Sequence, residues 1–332
     1  MRVDSRVAVM SSALWLPTGR STTEDALVDG VLDTDQDNPG VESVPECRGE
    51  SPEHMAAEAV RHALAATGRT PQELDILAYA WTARFTDQPY SPPHRLAKAL
   101  SVGDCATVGL AQACNGGAAA VETVVTRMLA EERAALAVAV TSDSFEPFGT
   151  HRWTEPAIMV VGDGAAAVVL ARGPGPLALR SMATSGHTCA DIMEAGQGLH
   201  IQGPSARTPA DVHLSEAAHS VEHLGHCVNR SVRHALADAD LEADDPGITG
   251  VLLPRLAPPF IDSFVRPALP EPLRGRAWVP DTHTGHLGAG DTLANVEYLQ
   301  RCMNVAPAEH VLVVNGGQGV TASCLVFTAG TG

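Results

Sequence analysis

The chain of 332 residues carries 39 Asp and Glu against 22 Lys and Arg, a net charge of −17, with Lys98 its one lysine. That balance argues against general binding to nucleic acid or to an anionic membrane, and any acidic protein partner would need a local basic patch. Hydrophobic residues make up 45% and charged ones 18%, so a sizeable core can be buried in one large α/β unit or two similar halves.

No apolar run reaches the roughly 18 residues of a membrane span. The N-terminus leads directly into an apolar strand without a signal-peptide core. Seven cysteines, odd in number and without CxxC spacing, read as free thiols of a reducing cytoplasm.

In chain order, residues 7–16 read as a strand and turn. Residues 21–49 are acidic and rich in Asp, Gly and Pro, mostly surface, with a short helical piece over 24–32. The spacing of Met55, Ala59, Ala63 and Leu64 predicts an amphipathic helix over 52–67. Thr70-Pro71-Gln72-Glu73 has the form of a capping box. Residues 76–81 form a buried strand, 90–100 a proline-initiated helix, and 106–111 another buried strand. A strand over 134–140 and a long loop over 146–155 follow. Gly162-Asp163-Gly164 is explained as well by a hairpin turn as by a site.

The chain is punctuated at 172–176, so we divide it into residues 1–172 and 173–332. The second half repeats the first in outline. A helix over 215–237 leads to a buried strand at 248–253; a glycine-rich loop and helix over 285–299 follow. A strand at 311–314, a Gly316-Gly317 turn and a strand at 323–327 close the chain. This order places the loop before 118 and the loop at 285 on equivalent positions, converging between the halves. Residues 188–211, rich in Gly and Pro, are either a lid over the site or a surface insertion.

Chemistry concentrates in two stretches. In Gln112-Ala113-Cys114-Asn115-Gly116-Gly117, a cysteine stands between a strand end and a helix over 118–130. A helix N-terminus favours the thiolate, and the two glycines leave room beside the sulfur; a small core cysteine is the plainer alternative. In Thr284-Gly285-His286-Leu287-Gly288-Ala289-Gly290-Asp291, a folded-back loop would let Asp291 orient His286. With Cys114 this makes nucleophile, base and orienting acid; a helix-capping Asp beside a solvent-facing His is the alternative. His219, His223 and His226 share a helix face but lack a second ligand cluster, so no metal is expected. His283 has no Asp five residues on.

The order of these motifs resembles the thiolase superfamily, in its β-ketoacyl-carrier-protein synthase III branch. The likeness rests on Ala113-Cys114-Asn115-Gly116, on residues 161–170 and on Asn315-Gly316-Gly317-Gln318-Gly319 running to Phe327. It implies a five-layered αβαβα fold of two pseudo-repeated halves and a homodimer. It also implies a thioester on Cys114, with an oxyanion hole from the Cys114 N–H and that of Gly316 or Gly317.

Chain-extending members carry a His in a Pro-His-Gln-Ala-Asn motif and an Asn in a Gly-Asn-Thr motif, which stabilise the carbanion left by decarboxylation. Here the first site reads Pro254-Arg255-Leu256-Ala257-Pro258 and the second runs from Gly285 to Asp291. The pattern is similar to the synthase III-like acyltransferases of natural-product pathways, such as antibiotic and polyketide biosynthesis. The resemblance implies an acyl donor on the phosphopantetheine of a carrier protein or on coenzyme A, and no further cofactor. The acceptor would be a hydroxyl, an amine or a carrier thiol. A decarboxylative condensing enzyme and a non-catalytic subunit are the alternatives. For carrier docking, Arg95 and Lys98 are the nearest basic residues in sequence, with Arg230 and Arg233 next.

Overall fold

Along β4 (Ile76–Ala80) every side chain is buried, yet successive ones enter different cores. Ile76, Ala78 and Ala80 join one cluster, Leu77 and Tyr79 another. Alternation on a strand covered on both faces is what builds a layered protein. The computed structural model describes residues 1–33, 40–82, 90–154, 158–187, 214–280, 283–317 and 320–330. The possible lid at 188–211 lies outside them.

The first half comprises β1 (Val7–Trp15), β2 (Arg20–Thr22), α1 (Thr23–Val28), β3 (Ser43–Pro45), α2 (Pro52–Thr67) and β4. These are followed by α3 (Pro92–Leu100), β5 (Ala106–Leu110), α4 (Gly116–Ala130), β6 (Leu136–Asp143) and β7 (Gly164–Arg172). The second comprises β8 (Leu177–Gly186), α5 (Leu214–Asp238), β9 (Ile248–Leu252), short α6 (Pro258–Phe260) and α7 (Glu271–Arg274) and β10 (Ala277–Trp278). It ends with α8 (Asp291–Cys302), β11 (His310–Gly317) and β12 (Thr321–Ala329).

Strand order across the sheet is β10-β9-β11-β12-β8-β1-β7-β6-β4-β5. Reading inward from either edge gives one plan: β5-β4-β6-β7-β1 and β10-β9-β11-β12-β8. The two sets join through a short antiparallel contact, Ala8 to Ala178 and Val9 to Leu177. The central core lies between them and contains α4 and α8, with Val121, Val125, Leu293 and Val296. The outer core of the first half packs α2 and α3, with Met55, Leu64 and Leu96. That of the second packs α5, with Val228, Val232 and Leu236. Five layers result, αβαβα.

Local chemistry accounts for α2. The Ser51 side chain accepts from the His54 N–H, Pro52 opens the first turn, and Gly68 closes the helix at φ 68°. Its buried face holds Met55, Ala59, Ala63 and Leu64, as the spacing predicts. In the Thr70–Glu73 capping box the Thr70 N–H donates to Glu73 Oε2 at 2.7 Å. Among the described residues no helix is long and apolar enough to cross a membrane.

Two expectations are corrected. Strand β5 is half-exposed rather than buried, because it is the sheet edge. Residues 21–49 are mostly exposed or half-buried, as expected, although β2 pairs with β3 and Ser21, Val44 and Cys47 are buried. Gly162-Asp163-Gly164 is not a hairpin turn. Asp163 is fully buried, accepting from the N–H groups of Cys47 and Phe145 (both 2.7 Å) and from Arg152 Nη1 (3.2 Å).

Candidate active site

After β5 the chain makes a tight turn over Ala113–Asn115 before α4 begins. Ala113 takes φ 43°, a left-handed conformation rare for a residue with a Cβ. The turn places half-buried Cys114 at the N-terminal end of α4. Second-half residues hold it there. Asn315 Nδ2 donates to the Cys114 carbonyl and to Thr292 Oγ1, both at 2.9 Å. Buried Asn115 donates Nδ2 to Ser323 Oγ at 2.9 Å.

The glycines of this turn serve packing rather than acyl room. A Cβ at Gly116 would stand 3.1 Å from the Cβ atoms of Ala80 and Ala289, and one at Gly117 would stand 2.6 Å from the Ala289 carbonyl oxygen. Gly317 also lies against the turn, where a Cβ would come within 2.8 Å of Asn115 N and 3.2 Å of Cys114 N. Gly316 packs instead against Leu224 and the Thr321 carbonyl.

The His286 loop reaches the same place from the other half, and first-half residues hold it. The His286 N–H donates to the Val160 carbonyl (2.8 Å), and Gly162 N–H donates to the His286 carbonyl (2.9 Å). Asp143, buried at the end of β6, accepts from the N–H groups of Ala289 (2.9 Å) and Thr82 (2.7 Å). Gly285 and Gly288 take positive φ, 61° and 59°, and a side chain on Gly288 would collide with the Asp143 carboxylate.

His286 and Asp291 meet as the sequence predicts. His286 Nδ1 lies 2.7 Å from Asp291 Oδ2, with both side chains buried. The carboxylate also accepts from the N–H groups of Arg255 at Oδ2 (2.7 Å) and Leu287 at Oδ1 (2.9 Å). Burial opposes the charge on His286, but Asp291 on one side and Cys114 on the other overcome it and hold the imidazole pKa well above 6.5. Burial likewise opposes the Asp291 charge; His286, Arg255 and the Leu287 N–H outweigh it, keeping the carboxyl below its usual 3.8. Nε2 of His286 is buried without a hydrogen bond of standard geometry among the described residues, and the Cys114 side chain is the neighbour that helps to raise the imidazole pKa.

Three other thiols stand in contrast. Burial pushes Cys47 up to about 12 and Cys105 to about 11, and drives Cys324 upward too. They remain thiols at neutral pH.

Arg255 is a residue that sequence reading noted only as a missing His. It is buried, with Nε 3.2 Å from Asn295 Oδ1 and Nη1 2.9 Å from Thr284 Oγ1. Asp143 was missed as well, and Asn115, Asp163 and Asn315 were quoted only within motifs, without the contacts they make. The visible signal was an acid closing an apolar strand run, or one set between glycines.

The other candidates lie elsewhere. His283 is exposed, its carbonyl accepting from Arg20. His223 stacks on His187 at 3.7 Å with His226 edge-on at 6.0 Å, and the described residues contain no group placed to hold a metal ion. The side chain of His219 is not among them. Arg95 and Lys98 are exposed on α3, Arg95 lying 4.5 Å over the Tyr90 ring; Arg230 and Arg233 are exposed on α5.

No family model and no curated protein matches the chain. Solved structures do. An acyltransferase, ChlB3, is 24% identical over 98% of both chains with a TM-score of 0.82. AbyA1, a tetronic acid condensing enzyme, is 18% identical over 97% of this chain and 100% of its own, TM-score 0.76. The 3-oxoacyl-(acyl carrier protein) synthase III FabH of Xanthomonas oryzae is 16% identical over 97% and 98%, TM-score 0.78.

Proposed function

The chain has the thiolase-superfamily fold in its synthase III form, and on that premise we propose that it is an acyltransferase. It takes an acyl group from a carrier-protein or coenzyme A thioester onto Cys114. It then passes that group to a hydroxyl, an amine or a carrier thiol in natural-product biosynthesis. What carries this reading is the buried His286–Asp291 pair, whose remaining ring nitrogen has Cys114 as neighbour and no other partner among the described residues.

The proton balance closes over two half-reactions. In the first, the Cys114 sulfur, negative beside the imidazolium, attacks the thioester carbon. The tetrahedral intermediate collapses, the carbon–sulfur bond to the donor breaks, and the departing thiolate takes the proton from His286 Nε2. The acyl-enzyme then holds a neutral imidazole. In the second, that imidazole takes the acceptor proton as the acceptor attacks, and Cys114 leaves as thiolate beside a restored imidazolium. N–H groups of Cys114 and Gly317 are the oxyanion donors of this reading, since Gly317, rather than Gly316, lies against the Cys114 turn. The half-exposed edge strand β5 is the surface that supports a homodimer.

Condensation with decarboxylation is the second reading, favoured by the likeness to AbyA1. Arg255, standing where the resemblance expects a carbanion-stabilising His, counts against it.

Single-turnover mass measurement separates the two. Donor thioester should add one acyl group, mapped to Cys114, and the added mass should leave on addition of acceptor. His286→Ala should slow loading about tenfold and discharge by about 10²–10⁴. An acyl group found on Cys105, or unchanged transfer by Cys114→Ala, would overturn covalent catalysis. Carbon dioxide release from a malonyl donor with a carbon–carbon bond in the product would establish the second reading.

A further inference from the structure

Arg255 is a buried charge beside the site to which the transfer chemistry gives no contact with substrate. It follows β9 by three residues and is 5% exposed. Its guanidinium bonds only neutral oxygens, those of Asn295 and Thr284, and no carboxylate forms an ion pair with it among the described residues. Nη2 makes no hydrogen bond there either, and unlike Nε2 of His286 it is not sealed away from accessible space. A guanidinium stays charged in a protein, and Asp291 and Glu297, whose charges it feels, make no direct ion pair with it, which leaves its burial costly.

The same residue is fastened to the proposed base pair, its own N–H donating to Asp291 Oδ2 at 2.7 Å. Arg255 and His286 therefore both lie beside Asp291, and Arg255 also feels the charge of Glu297. A guanidinium edge with an unbonded nitrogen is a receptor for an anion. One free nitrogen with two N–H groups suits a single carboxylate better than a phosphate, which would need donors on several sides.

Building on the acyl-transfer reading, we propose that Arg255 binds a carboxylate carried by one of the two reactants and so selects acidic substrates. The carboxylate belongs either to the acyl group or to the acceptor. It is a selectivity group: it holds a substrate by its charge and takes no part in bond making.

The test needs no knowledge of the natural substrate. Succinyl- and butyryl-coenzyme A have the same chain length and differ at the terminal carboxylate, which in succinyl is not β to the thioester and is not lost by decarboxylation. Acyl-enzyme loaded from acetyl-coenzyme A is then challenged with 3-hydroxybutyrate or 3-hydroxybutyramide. Wild-type enzyme should favour the acidic member of one pair by about 10- to 100-fold, the range of a charge-assisted hydrogen bond. Preference at loading assigns the carboxylate to the acyl group, preference at discharge to the acceptor. Arg255→Gln should erase that preference, and Arg255→Lys should restore part of it.

A binding arm stands apart from acyl transfer. Succinate should raise the melting temperature of wild type more than that of Arg255→Gln, while butyramide raises neither. Equal handling of both pairs by wild type, or a succinate shift of the same size in Arg255→Gln, overturns the proposal. Failure of every thioester to load, with the succinate difference intact, would instead refute the acyl-transfer reading and leave the anion site standing.

Discussion

His286 is charged because of what lies on either side of it. Of the influences on its pKa, burial works downward, while Asp291 and Cys114 work upward and win. Under the proposed acyl transfer, acylation of Cys114 would take away one of the two supports at the moment a base is needed, and so convert His286 from proton holder to proton acceptor. The pair should also be visible in stability. A folded pKa raised above 6.5 contributes stability that is full below pH 6.5 and is lost as pH rises through the folded value. The lowered Asp291 pKa contributes above pH 3.8 and is lost as pH falls through the folded value. Melting temperatures of wild type and Asp291→Asn should therefore differ most between pH 3.8 and 6.5. A gap that widens toward alkaline pH would contradict a protonated His286.

At the scale of elements, α4 and α8 touch through residues without side-chain bulk. Gly117→Ala would drive a methyl group against the Ala289 carbonyl, forcing apart the two loops that carry Cys114 and His286. Overpacking of this kind costs about 1–3 kcal/mol. We expect Gly117→Ala to lower the melting temperature and to slow acyl loading beyond what the lost stability explains. Normal loading in a destabilised variant would show that the approach of these helices does not set the site. Helix α2 was legible from spacing, since its apolar stripe and its caps are local. The Cys114 and His286 loops were legible because glycine-rich turns announce themselves. Asp143 and Asp163 were not, because their partners lie 146 residues on at Ala289 and 116 residues back at Cys47. Edge placement of β5 was hidden too: Ala106-Thr107-Val108-Gly109-Leu110 is as apolar as a buried strand, and only the strand order exposes it.

The whole molecule is strongly anionic, and its repulsion with itself opposes the compact state. Screening should relieve this, so the melting temperature should rise from about 10 mM to about 150 mM salt, over which the Debye length falls from about 30 to about 8 Å. A fall over that range would mean that attractive surface pairs outweigh the net charge. A different property follows from how the halves grip each other. Cys114 is held by Asn315, and its neighbour Asn115 by Ser323, across separations of 201 and 208 residues. On the ribosome, then, the cysteine is made early but stays unposed until the last strand has been added. Throughout most of its synthesis the nascent chain carries this thiol without the contacts that fix its geometry. Its position and surroundings are fixed only when the fold closes behind it.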